Sequence, residues 1–89
     1  MVFLLPLVAT AQYYIRGEVK DEKNNGLQNV KIILHSTGLN YASGVGGAFG
    51  ILTSKAMDSL SLYLEGYEPL HVKVNSSKYV TLQMKMQPQ

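Results

Sequence analysis

The sequence predicts an all-β domain, an antiparallel β-sandwich of about seven short strands, and three observations carry that expectation. Apolar residues recur at every second position in several stretches. The clearest is Leu60, Leu62 and Leu64 against Ser59, Ser61, Tyr63 and Glu65, resumed as Leu70, Val72 and Val74 against His71 and Lys73. Side chains on a strand point to alternate faces, so each run has one oily and one wettable side. Turn residues interrupt these runs every 8–12 residues or so, the rhythm of sandwich folds. No stretch repeats its apolar residues with the 3.6-residue period of an amphipathic helix.

Taken in order, Met1 to Ala11 (MVFLLPLVATA) is uncharged and mostly apolar. It is too short to cross a bilayer, which takes roughly 20 residues. Its apolar stretch followed by Ala9-Thr10-Ala11 fits a secretory signal peptide with small residues at the cleavage point. The expected folded domain then runs from Gln12 to Met86, with Gln87-Pro88-Gln89 as the start of a linker or tail. Tyr13 to Asp21 alternates Tyr13, Ile15, Gly17 and Val19 against Tyr14, Arg16, Glu18 and Lys20, a first strand in which Gly17 marks a bulge or a close backbone approach. Asp21 to Gly26 is a polar turn, with Asn25-Gly26 expected to supply the positive-φ residues.

Leu27 to Ser36 places Val30, Ile32 and Leu34 on one face and Lys31, Ile33 and His35 on the other; Ile33 on the outward side predicts cover on both faces. A short strand is expected at Leu39 to Ser43, then a glycine-rich loop, then a strand anchored by Phe49 and Ile51 and ending by Thr53. Ser54 to Asp58 is a connection in which Ala56 and Met57 could complete one helical turn. The two strands of the central stretch meet at a corner, Gly66-Tyr67-Glu68-Pro69. After a turn at Asn75 to Lys78, Val80, Leu82, Met84 and Met86 are expected inward.

Composition narrows the chemistry. The 89 residues make one small domain, with a net charge of +2 and no cysteine. Disulfides, zinc–thiolate sites and cysteine nucleophiles are thereby excluded. The lysines and Arg16 are scattered along polar strand faces, unlike the concentrated basic face with aromatic platforms that nucleic-acid binders use, so no nucleic-acid partner is expected. Gly44 to Gly50 has the glycines of a phosphate loop but lacks Gly-Lys-Ser/Thr and a following helix. His35 and His71 fall on polar strand faces, where solvated imidazoles are expected, and have no acidic residue at a ligand-like offset; nothing places a base beside any serine. No catalytic residue, metal ligand or cofactor site is therefore expected. Asn75-Ser76-Ser77 is an N-glycosylation sequon by letter, relevant only in a eukaryotic secretory pathway. Gly66-Tyr67 is expected to act structurally, the tyrosine ring covering the core rim and its hydroxyl reaching backbone, as in the tyrosine corner of sandwich folds.

Several of these pieces, in this order, resemble the carboxypeptidase regulatory-like domain, a small transthyretin-like or immunoglobulin-like sandwich. They are Gly17-Glu18-Val19-Lys20-Asp21, then Asn25 to Ile32, then Gly47-Ala48-Phe49-Gly50-Ile51, and finally Leu60-Ser61-Leu62 leading to Gly66-Tyr67-Glu68. Two family features are replaced: Gly26 stands where a proline is usual, and Gly44 to Gly46 occupy the region of a usual acidic residue. The resemblance implies structural roles for Gly17, Val19, Gly26, Val30, Phe49, Leu62, Gly66 and Tyr67.

It also implies a non-catalytic module of exported Bacteroidetes-type proteins, located in the periplasm or at the outer membrane and cell surface. Its expected partner is a covalently linked downstream domain or another protein. Two alternatives accompany that reading: the N-terminal domain of a TonB-dependent outer-membrane receptor, with a von Willebrand factor A-domain protein as a further setting, and a small-ligand-binding transthyretin-like protein.

Overall fold

The computed structural model describes residues 12–88; the expected export segment, Met1 to Ala11, lies outside the described residues. Seven strands are present: β1 (Tyr13–Lys20), β2 (Lys31–Leu34), β3 (Asn40–Ala42), β4 (Ala48–Thr53), β5 (Met57–Tyr63), β6 (Leu70–Asn75) and β7 (Val80–Gln83). They form a three-stranded sheet in the order β4-β1-β7 and a four-stranded sheet in the order β3-β2-β5-β6. Between them lies one apolar core. Ile15, Val19, Phe49, Ile51 and Leu82 come from the first sheet, and Ile32, Leu34, Leu60, Leu62 and Val74 from the second. The all-β sandwich is thus the fold of this chain.

One pairing departs from the antiparallel expectation: β1 and β7 run parallel, with Gly17 opposite Val80 and Val19 opposite Leu82. When the chain reverses at every connection, all odd-numbered strands share one direction. First and last strands brought side by side must then pair in parallel, and each sheet draws on both halves of the chain.

Three local expectations are corrected. Ala56 and Met57 form no helical turn; Ser54 to Ala56 is a bend and Met57 opens β5, opposite Asn75 of β6. Met86 is not inward but 57% exposed: Met84, whose N–H still bonds the Lys20 carbonyl, is the last buried residue of this run, and beyond it the chain crosses to the Gly66-Tyr67 corner. The left-handed residue of the first turn is Asn24, at φ 68°, and Gly26 keeps negative φ. Gly26 answers a different need, since a Cβ there would strike the backbone of Gly46. An Asn or Asp side chain tolerates the left-handed region through local hydrogen bonds. In this turn the Asp21 carboxylate accepts the N–H groups of Lys23 at 2.8 Å and Asn25 at 2.9 Å.

Strand geometry in β2 begins only at Lys31, because the segment before it is an arch. Asn29 has φ 65°, and Leu27 and Val30 drop into the core. The buried Ser43 hydroxyl closes the arch, donating to the Leu27 carbonyl at 2.6 Å and accepting the Val30 N–H at 2.9 Å. Gly17 marks a close approach rather than a bulge, since β1 pairs without interruption on both sides of it. A Cβ at Gly17 would meet the Val80 carbonyl oxygen and come within 2.8 Å of the Phe49 ring.

Asp58 opens a second buried polar knot. Its Oδ2 accepts the hydroxyls of Ser36 at 2.6 Å and Thr53 at 3.0 Å, and its Oδ1 accepts the Ser59 N–H at 2.8 Å. The connection after β2 and the last residue of β4 are tied to β5 by this carboxylate. Burial alone pushes its pKa up, but the hydrogen bonds from Ser36, Ser59 and Thr53 outweigh burial and hold it below the ordinary 3.8.

Two outcomes are expected. Gly17→Ala should lower unfolding free energy by about 1–3 kcal/mol through overpacking, read by urea denaturation; an unchanged midpoint would contradict the close approach. A carboxylate whose folded pKa is depressed stabilises above the unfolded value and loses that contribution as pH falls through the folded one. The stability gap between the parent and Asp58→Asn should therefore be full above pH 3.8 and narrow below it. Equilibrium unfolding of both proteins across that range decides, and a pH-independent gap would overturn the account.

Candidate functional site

The strand turns bring two groups of residues together, one at an end of the sandwich and one on the outer face of the four-stranded sheet. At the end, the chain leaving β7 is stitched to both sheets. The Met84 N–H donates to the Lys20 carbonyl at the close of β1 (2.8 Å), the Glu68 N–H donates to the Lys85 carbonyl (2.8 Å), and the Gln87 N–H donates to the Gly66 carbonyl (2.9 Å). Tyr67 and Met86 form an isolated antiparallel bridge. The Gly66-Tyr67 corner is therefore the receiver for the C-terminal segment.

Gly66 reaches φ 90°, which allows the corner to turn in place, and the Tyr67 N–H closes it on the Leu64 carbonyl at 3.0 Å. The half-buried Tyr67 side chain packs against the core. Its hydroxyl takes no hydrogen-bond partner among the described residues, so backbone groups fasten the corner where a side-chain bond was expected. Beside this end, a surface hollow of about 400 Å³ is lined by Asp21, Glu22, Lys23, Asn25 and Met86. The Asp21 carboxyl is held below its ordinary pKa, chiefly by the Asn25 N–H.

The other predicted structural residues divide between core and approach points. Val19, Val30 and Leu62 are fully buried and Phe49 nearly so. The glycine-rich loop is a single 3₁₀ turn, Val45–Gly47, with Gly46 at φ 74° and Gly47 at φ 82°. Two of its amides are engaged in the turn itself, Gly44 N–H on Ala48 and Gly47 N–H on Gly44, and it packs Gly47 against the Val19 carbonyl. It is a packing loop.

The outer face of the four-stranded sheet holds the arrangement that motif reading missed. Ser61 of β5 lies opposite Ile33 of β2 and His71 of β6. Its Oγ is 2.5 Å from His35 Nε2 and 2.8 Å from His71 Nδ1. The Tyr63 ring meets the His71 ring edge-on, with centroids 5.9 Å apart. Although it faces outward, Ser61 is only 5% exposed, covered by these neighbours and by the half-buried Ile33. Ile33 itself is half-buried on the outward side of β2, the partial cover of that strand that its apolar side chain predicts. The Ser61–His71 contact depends on the register of β5 with β6: Leu62 pairs with Leu70, so residues 61 and 71 face each other, a register that the four-residue corner expected at 66–69 does not give. His35 comes from a strand paired across a long separation, and no local signal announces it.

A serine beside an imidazole suggests nucleophilic chemistry. Acyl transfer also needs unengaged N–H groups to hold the developing oxyanion. Here β5 is paired along both of its edges, with β2 and with β6, so the amides flanking Ser61 are committed to the ladders. What the group can do with its geometry intact is hydrogen-bond, or bind something through its nitrogens.

No protein-family model matches this chain, and no curated protein matches it.

The corner predicts a contrast between two substitutions. Tyr67→Phe should change unfolding free energy by less than about 0.5 kcal/mol, because no hydroxyl partner is lost. Tyr67→Ala should cost about 2 kcal/mol or more through lost packing. Equal losses in the two thermal melts would show that the hydroxyl, and not the ring, holds the corner.

Proposed function

We propose that this chain is an exported, non-catalytic β-sandwich accessory module that scaffolds or docks a neighbouring domain or protein partner. The observation that carries the reading is the stitched segment 84–87. A polypeptide continuing past it leaves from a fixed point on the sandwich, because Gln87 is hydrogen-bonded to Gly66 and Met84 to Lys20. A free tail would let two domains tumble apart, and relative motion is the ordinary expectation for linked domains with small interfaces. A pinned tail sets an orientation.

Beside that point stand the exposed Met86 and the Asp21–Asn25 turn, an apolar anchor next to charged groups. This is the makeup of a small contact surface. The resemblance to carboxypeptidase regulatory-like domains supports the same reading and supplies its setting: the periplasm or outer membrane of a Gram-negative bacterium, with a receptor barrel or a von Willebrand factor A domain as the neighbour.

The test is a fusion in which a small folded reporter follows Gln89 directly. ¹⁵N relaxation should report one common rotational correlation time for sandwich and reporter. Gln87→Pro removes the N–H that holds the exit and should separate the two times. Independent tumbling in the unsubstituted fusion would sink the scaffold reading.

A further inference from the structure

The only two histidines of the sequence meet over one strand. His35 follows β2 and continues its ladder, its N–H donating to the Ser59 carbonyl at 2.9 Å. His71 belongs to β6, on the other side of β5. Both rings are exposed, and each aims a nitrogen at the same oxygen, Ser61 Oγ, at 2.5 Å and 2.8 Å. The two nitrogens are thus no farther apart than the sum of those distances. A metal ion with bonds of about 2.0–2.1 Å to imidazole in tetrahedral geometry wants its two nitrogens about 3.4 Å apart. Exposed side chains at a sheet surface can close that gap by rotation, with no change to the core.

We propose that His35 and His71 form a two-imidazole site for a borderline divalent cation of the Cu²⁺ and Zn²⁺ class. The ion sits on the solvent side of Ser61, whose neutral hydroxyl oxygen is a third ligand, and water completes the coordination. Protons balance without net loss from the rings. A hydroxyl has one proton, so with both imidazoles neutral Ser61 donates to one ring and accepts an N–H from the other. The first ring already points a lone pair inward. The second moves its proton to its other nitrogen, a change of tautomer.

Tyr63 packs edge-on against His71 and limits the planes that ring can adopt, the kind of outer contact that orients a metal ligand. Hard cations are not served. Ca²⁺ and Mg²⁺ take sets of oxygen ligands, and the one carboxylate on β5, Asp58, is turned to Ser36 and Thr53. Imidazole suits copper, nickel and zinc, and affinity rises toward Cu²⁺ along the divalent series. The site is independent of the scaffold reading, since it lies on a sheet face and not at the C-terminal end.

The test uses the whole chain with Zn²⁺ and Cu²⁺ as probes. Calorimetry should give one Zn²⁺ per chain, tighter binding of Cu²⁺, and no heat with Ca²⁺ or Mg²⁺. His35→Gln and His71→Gln should each weaken Zn²⁺ binding by about tenfold or more. Long-range ¹H–¹⁵N spectra of the unsubstituted protein should show His35 Nε2 and His71 Nδ1 shifting together on Zn²⁺ addition, a readout that survives if a variant fails to fold. Zn²⁺ affinity unchanged in both variants, or imidazole nitrogens unmoved at saturating Zn²⁺, would overturn the proposal.

Discussion

Pairing of β5 along both edges is the constraint on which the remainder of the molecule rests. β2 pairs with Leu60–Tyr63 on one side and β6 with Met57–Leu62 on the other, so the stretch Leu60–Leu62 has ladder partners on both edges. A strand so placed can bury side chains on both faces, and this one does. Leu60 and Leu62 point into the core while Ser61 is covered on the outside. Fully buried leucines contribute roughly 1.5–3 kcal/mol each by leaving water, and they do so only while the ladders hold β5 in register. A one-residue slip would exchange Ser61 with the two leucines.

The same constraint links core to surface. Because β5 is central, side chains from β6 and from the end of β2 converge over it, which brings His35 and His71 to one hydroxyl. Asp58, next to the strand's start, gathers Ser36 from the connection after β2 and Thr53 from the end of β4. The strand's far end runs into the Gly66-Tyr67 corner, which receives the segment after β7. A small domain has little apolar area to spare. Here polar knots at Ser43 and Asp58 join the apolar cluster in fixing the loops, each with its polar atoms partnered.

The scaffold reading and the metal reading draw on different parts of this arrangement. One uses the end of the sandwich, where the chain is pinned as it leaves; the other uses the outer sheet face, where two rings share a serine. Neither requires the fold to open. Both use backbone positions that the ladders fix, which leaves side-chain rotation as the ordering still to be done on binding.

The sequence by itself determined which segments are strands and which side of each is buried. That information is local: a two-residue period in Leu60 and Leu62, in Ile32 and Leu34, or in Ile15 and Val19 survives whatever the strands pair with. It also determined that a corner falls at Gly66-Tyr67, while the register that sets Ser61 against His71 came only with the pairing of β5 and β6. Tertiary structure alone decided which distant strands became neighbours, and so everything built on non-local register. The parallel meeting of β1 with β7, the closeness of His35 to Ser61, the clasp of Ser43 on Leu27 and Val30, and the packing of Gly26 on Gly46 all belong there. Met86 shows the same divide from the other side. Its alternation pointed inward, but β1 ends at Lys20, whose carbonyl takes the Met84 N–H as the last contact of this edge, and a pattern of residues carries no record of where its partner strand ends.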